Sequence, residues 1–145
     1  MCDLSTSPYA VLRTVAKDSS TPLATKLGIR EGSKVTMLHT PGHLAFSLPA
    51  SVKVRRQARG TSDVVVAFLT TASELERQIE TLERLIFPAG GLWVAWPKKS
   101  SGVATDLTDH AARNLALALG LVDNKVCAID ETWTALRLVW RRAAR

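Results

Sequence analysis

Six apolar residues in a row, Val64-Val65-Val66-Ala67-Phe68-Leu69, follow Ser62-Asp63 with no polar interruption. A strand with one wet face alternates apolar and polar side chains, so a valine-rich run of this kind belongs to a strand covered on both faces. That is the situation of a parallel sheet between helix layers. Leu92 to Trp96 is a second run of the same type. Between the two lies Ser73-Glu74-Leu75-Glu76, a capping-box pattern in which Ser73 accepts from the third backbone N–H and Glu76 reaches back. Leu75, Ile79, Leu82 and Ile86 follow at helical spacing, and Pro88-Ala89-Gly90-Gly91 ends the helix.

The flanks extend this alternation. Thr21-Pro22-Leu23-Ala24-Thr25-Lys26-Leu27-Gly28 predicts a short helix, with Thr21 as cap, Pro22 at the first helical position and Gly28 past its end. Lys34 to His39 reads as a strand that Thr40-Pro41-Gly42 breaks. His43 to Leu48 predicts a short helix and Val52 to Arg56 a second strand. After Pro97, Asp106-Leu107-Thr108-Asp109 opens a helix with Ala111, Ala112, Leu115, Ala118 and Leu119 on its apolar face, and Gly120 closes it. Asp106 and Asp109 are read as caps of that helix, favourable to its dipole. Asn124 to Ile129 and Trp133 to Arg142 then form an antiparallel hairpin. Residues 1–20, rich in Ser and Thr, are expected to be a flexible N-terminal arm, and 21–145 a single α/β domain, as suits a chain of 145 residues.

With right-handed crossovers this order folds into a three-layer, Rossmann-like, mostly parallel sheet closed by a C-terminal antiparallel hairpin. From Ser62 to Arg142 it resembles the second half of the S-adenosylmethionine-dependent methyltransferase fold. The resemblance implies a cofactor site in the first half, with a Gly-rich turn after the first strand and an acidic residue ending the second. The sequence departs from that pattern, with His39-Thr40-Pro41-Gly42-His43 at the turn and Arg55-Arg56 at the second strand end. No cofactor is therefore expected, and methyl transfer is a secondary reading.

Three strings carry a closer resemblance: Thr21-Pro22-Leu23-Ala24-Thr25-Lys26-Leu27-Gly28-Ile29, Trp93-Val94-Ala95-Trp96-Pro97-Lys98-Lys99-Ser100-Ser101-Gly102-Val103 with Thr105-Asp106-Leu107, and Lys125-Val126-Cys127-Ala128-Ile129-Asp130-Glu131-Thr132-Trp133. They resemble a family of small bacterial proteins called domain of unknown function three-zero-five-two. That resemblance implies no activity and carries over no catalytic residue.

In open α/β sheets ligands sit beyond the carboxyl ends of the parallel strands. Following the strands to those ends predicts a rim that gathers Thr40 and His43, then Thr70 and Thr71, then Lys98, Lys99, Ser100 and Ser101, and finally Asp130 and Trp133. Two ammonium groups, two hydroxyls and the Gly102 backbone suit a phosphate or carboxylate. The Trp133 indole, beside Asp130, is expected to wall the same pocket. The motif G-x-x-x-x-G-K-[ST] is absent. His39 and His43 are four apart across Pro41-Gly42, a turn and not a helix face, so no metal is expected. Cys127 reads as a buried apolar thiol.

The net charge of +6 is concentrated in Lys53, Arg55, Arg56 and Arg59, in Lys98-Lys99, and in Arg141, Arg142 and Arg145. No helix-turn-helix, RNP or zinc signature accompanies these clusters. The expected partner is thus an anionic small molecule or a protein, held non-catalytically at the rim, with nucleic acid as the alternative. No apolar run approaches the ~18 residues of a membrane helix. The first residues hold neither a basic nor an apolar signal region, so a cytoplasmic location is expected.

Overall fold

The structure, a computed structural model, describes residues 23–41 and 48–141. Its elements are α1 (Leu23–Lys26), β1 (Lys34–Leu38), β2 (Lys53–Arg55), β3 (Val64–Phe68), α2 (Ala72–Ile86), β4 (Gly91–Pro97), a 3-10 turn Lys99–Ser101, α3 (Asp109–Ala118), β5 (Leu121–Ala128) and β6 (Trp133–Trp140). The strands form one sheet in the order β2-β1-β3-β4-β6-β5. β2, β1, β3 and β4 pair in parallel, and β6 runs antiparallel between β4 and β5. This is the expected Rossmann-like sheet with its antiparallel C-terminal hairpin. The predicted arm, Thr21, Pro22 and the predicted helix beginning at His43 lie outside the described residues, except for Leu48, which is not helical.

The apolar runs do what their composition requires. Every residue of β3 and of β4 is buried. Val65, Ala67, Leu92, Val94 and Trp96 face α2 and α3, meeting Leu75, Ile79, Leu82, Ala112 and Ala116. Val64, Val66, Phe68, Trp93 and Ala95 face the other way, against α1, Leu27, Cys127 and Trp133. Trp93 and Trp96 are therefore both core residues, on opposite faces. The Trp93 indole Nε1 donates to the Leu27 carbonyl at 2.9 Å, tying the α1 segment to the centre of the sheet.

Two helix starts differ from the sequence expectation. The cap of α2 is Thr71, whose hydroxyl accepts from Glu74 N while the Glu74 carboxylate reaches back, so the capping box is Thr71-x-x-Glu74 and not Ser73-x-x-Glu76. Both frames satisfy the motif. The earlier one is selected because the first helical N–H, on Ala72, is held by Asp106 Oδ1 at 2.7 Å. Asp106 thus crosses to α2 instead of capping its own helix. The cap of α3 is Thr108, accepting from Ala111 N. The apolar face of α3 also shifts: Ala112 and Ala116 are buried, whereas Ala118 is exposed.

β5 begins at Leu121, directly after Gly120, and carries a register shift between Asp123 and Lys125. Alternation alone would keep Leu121, Asp123, Lys125 and Cys127 on one face. The extra residue breaks that parity. Leu121 packs with α2 and α3, Asp123 pairs with Arg113 of α3 at 3.1 Å, and Cys127 lies on the α1 face.

One carboxyl in the helix layer is strained by burial. Glu83 of α2 is pushed above its ordinary value of 4.5 by desolvation and by Glu80, with Arg84 offsetting part. Its Oε2 is buried without a partner among the described residues. The folded state therefore holds this proton more tightly than the unfolded chain, so its contribution is full below the ordinary value and is lost as pH rises through the raised one. Glu83→Gln is expected to match the parent in urea stability at about pH 4 and to exceed it at about pH 7, with the two curves diverging above the ordinary carboxyl range. A variant less stable at the higher pH would contradict this.

Candidate functional site

The carboxyl ends of β1, β3, β4 and β5 lie on one side of the sheet, because β5 is antiparallel to β6 and thus parallel to β4. Lys98 N donates to the Thr132 carbonyl at 2.7 Å, joining the loop after β4 to the hairpin turn between β5 and β6. Lys98–Ser101 and Asp130–Trp133 are accordingly brought together. Thr40 is not: it lies just past β1, which β3 separates from β4, and its hydroxyl accepts from Arg56 Nη1 at 3.3 Å. His43 lies outside the described residues.

Several of these side chains build the turns themselves. Ser101 Oγ donates to the Lys98 carbonyl at 2.6 Å and accepts from Val103 N at 3.2 Å. Gly102 takes φ 80°, the left-handed conformation that ends the 3-10 turn without a Cβ penalty. Asp130 Oδ1 accepts from the backbone N–H groups of Thr132 at 2.8 Å and Trp133 at 2.7 Å. Ser100 and Lys99 are exposed.

Trp133 differs most from its expected place. It is 8% exposed, under the rim and not on it. Its ring meets Phe68 edge-on, with centroids 5.2 Å apart and an interplanar angle of 85°. The reason is register: Trp133 pairs with Pro97 on β4 and shares a face with Ala135, which turns the indole into the α1-side core. Its N–H is buried without an acceptor among the described residues.

The open part of the rim lies on the other face, above α3. A cleft of about 300 Å³ is lined by Trp96, Pro97, Lys99, Leu107, Thr108, Asp109, Val126 and Thr134. Apolar side chains form its floor, and Lys99 is the cation at its edge. The Asp109 carboxylate is engaged by His110 N at 2.8 Å and by Arg113 at 3.6 Å. Beside the cleft, Thr105 Oγ1 donates to the Thr70 carbonyl at 2.6 Å. Glu74 is held below the usual carboxylate range by the Thr70 backbone N–H first, then by the Thr70 hydroxyl and by Thr71. These bonds fix the loop before α3 against the start of α2. Sequence reasoning missed Thr108, the cap of α3, and Val126 and Thr134, which reach the cleft only once β5 and β6 are paired.

His39 is a second feature the sequence did not mark as special. It directly follows β1 at φ 59°, a left-handed conformation uncommon outside glycine. Its Nε2 lies 3.2 Å from Gln78 Oε1 of α2.

The fold is that of a methyltransferase-like α/β domain. A putative methyltransferase from Thermoplasma acidophilum aligns with TM-score 0.51 at 7% identity, over 79% of this chain and 70% of that one. The fibrillarin pre-rRNA processing protein of Methanococcus jannaschii gives 0.51 at 14%, over 82% and 73%. LepI, in a complex with SAH and a substrate analogue, gives 0.52 at 11%, over 82% of this chain but only 39% of its own. The chain spans 51% of the length of the magnesium protoporphyrin IX methyltransferase of Synechocystis, which it matches with TM-score 0.49 at 14% identity over 61% of this chain. Identities this low define the fold and say nothing of chemistry. The sequence matches no protein-family model and no curated protein.

Among the described residues, the ends of β1 and β2 do not fit S-adenosylmethionine. Where that cofactor's ribose would want a carboxylate, the end of β2 presents Arg56, bonded to Thr40 at the end of β1. The described part of the turn after β1 holds His39, Thr40 and Pro41, and none of them leaves the backbone bare.

Proposed function

We propose that this chain is a non-catalytic binding domain on a methyltransferase-like sheet, taking an anionic small molecule in the rim cleft beside Lys99. It would be a member of the family that its three sequence strings resemble. The observation that supports the reading is the cleft itself: an apolar floor of Trp96, Leu107 and Val126, hydroxyls from Thr108 and Thr134, and one lysine at the edge. An apolar pocket with a few convergent polar groups is the usual form of a small-ligand site, and about 300 Å³ is at its lower bound. The ligand is therefore small, with one acidic group for Lys99 and a flat or apolar part for the floor.

Titration calorimetry with 5′-AMP and a panel of other monophosphate metabolites tests this. The double variant Lys98→Ala, Lys99→Ala is expected to weaken the best ligand roughly ten- to hundredfold, the worth of a charge-assisted hydrogen bond. If no ligand weakens in that variant, the reading fails. S-adenosylmethionine and its demethylated product are expected to give flat titrations, and measurable binding of either would revive methyl transfer.

A further inference from the structure

One basic cluster of the sequence has no part in the rim, Lys53, Arg55, Arg56 and Arg59, and the fold adds Lys34 to it. β2 is an edge strand, paired only with β1. Its register sets Lys53 beside Lys34 at the amino ends of the two strands. Backbone bonds hold that register, Lys53 N donating to the Ser33 carbonyl at 3.1 Å and Asp63 N to the Lys34 carbonyl at 2.8 Å. Two ammonium groups on adjacent stems repel one another. At the other end Arg56 reaches the Thr40 hydroxyl just past β1. The cations thus run the length of β1, about 13 Å at roughly 3.3 Å per step.

The loop after β2 is built around one of them. The Arg55 guanidinium lies over Gly60, where a Cβ would come within 2.6 Å of Nη1, and that nitrogen donates to the Arg59 carbonyl. Arg55 thereby closes the loop that carries Arg56 and Arg59. Both of those side chains are exposed, as are Lys34 and Lys53. Along residues 31–34 and 51–63 the five cations stand with two carboxylates, Glu31 and Asp63. Glu31 Oε1 accepts from Ser51 Oγ at 2.7 Å, and Asp63 Oδ2 from Lys34 N at 2.9 Å. None of the five cations forms an ion pair among the described residues.

The hollow beside Lys34, Lys53 and Arg55 measures about 250 Å³, below the usual size of a small-molecule site. The cations are strung along an edge instead of converging on one point, which suits an extended polyanion. Residues 53–60 hold no aromatic side chain on which an unpaired base could stack. Regularly spaced phosphates meet these conditions, since guanidinium and ammonium groups bind them without reading sequence. We infer that the β2 edge, from Lys34 and Lys53 to Arg56 and Arg59, binds the phosphate backbone of double-stranded nucleic acid. It shares no residue with the rim cleft, so either reading can fail without the other.

Fluorescence anisotropy of a labelled DNA duplex of about 20 base pairs is followed with the full chain at about 50 and 200 mM salt. The parent is expected to bind, with an affinity that falls steeply as salt rises. Lys53→Ala, Arg56→Ala, Arg59→Ala should weaken binding at least tenfold at an unchanged melting temperature, since all three side chains are exposed. It should also flatten the slope of log affinity against log salt by about 2.7, at about 0.9 for each lost phosphate contact. Lys26→Ala, Arg30→Ala, Lys125→Ala removes three charges elsewhere and should leave binding within about threefold, because distant exposed charges are screened. Lys53→Arg, Arg56→Lys, Arg59→Lys keeps every charge and should bind within about threefold of the parent, which separates loss of charge from loss of fold. A single strand of equal length should bind no more tightly than the duplex. The inference is overturned if the duplex does not bind at the lower salt, or if the two triple alanine variants lose affinity equally. It is also overturned if the charge-preserving variant loses as much as the alanine one, or if the single strand binds more tightly. Phosphatidylserine-rich vesicles that bind through Lys53, Arg56 and Arg59, with the duplex left unbound, would overturn it in favour of a membrane surface.

Discussion

Trp93→Ala is expected to lower the unfolding free energy by about 3–5 kcal/mol, the range for removing a large buried aromatic side chain. The residue is 1% exposed and contacts the core that joins β3, β4 and α1. Its indole N–H also satisfies the Leu27 carbonyl. The truncation opens a cavity and releases a backbone anchor together. For a domain with about 5–15 kcal/mol of stability in total, that removes from roughly a fifth to all of it. Urea denaturation followed by far-UV circular dichroism measures the loss. Trp93→Phe separates the two contributions, because it keeps most of the ring contact and forfeits the hydrogen bond, worth about 1 kcal/mol. A loss below about 1 kcal/mol in the alanine variant would show that the α1 face packs only loosely, against the burial described.

Gly90→Val is expected to cost about 3 kcal/mol, the upper end of the usual overpacking range. A Cβ at Gly90 would lie 2.6 Å from the Ser62 carbonyl oxygen and 3.1 Å from that of Asp63. These are backbone atoms and cannot swing aside. Ser62 N is bonded to Leu85 O at 2.7 Å and Gly91 N to Asp63 O at 2.9 Å, so the segment before β3 is held from both sides. Gly90→Ala should show a smaller loss of the same sign. A thermal melt of both variants checks the order, and a Val variant as stable as the parent would contradict the close approach.

The Gly90-Gly91 pair shows how far the sequence could be read. As punctuation it correctly ends α2. Its other purposes depend on residues far away in the chain: Gly90 makes room for the backbone at Ser62, and Gly91 for the guanidinium of Arg137. The rim is a similar case. Strand direction alone brings the loop after β4 beside the hairpin turn between β5 and β6, where Lys98 N meets the Thr132 carbonyl. It could not tell that Asp130 Oδ1 and Ser101 Oγ are bonded inside their own turns. It also could not tell that Trp133 packs against Phe68.

What the sequence by itself determined is the class of fold. The uninterrupted apolar runs at Val64 and Leu92 require cover on both faces, and the helix between them supplies one of the layers. Those are local properties, set by composition and period. Only the tertiary structure decided which side chains share a cavity. A single extra residue in β5 moves Lys125 to the face of Arg137 and leaves Asp123 with α3. Alternation read along the chain fails at such a bulge, because its position is set by pairing with β6 and by the packing of both faces. The cavity lined by Lys26, Lys125 and Arg137, from α1, β5 and β6, was therefore invisible until the strands were paired.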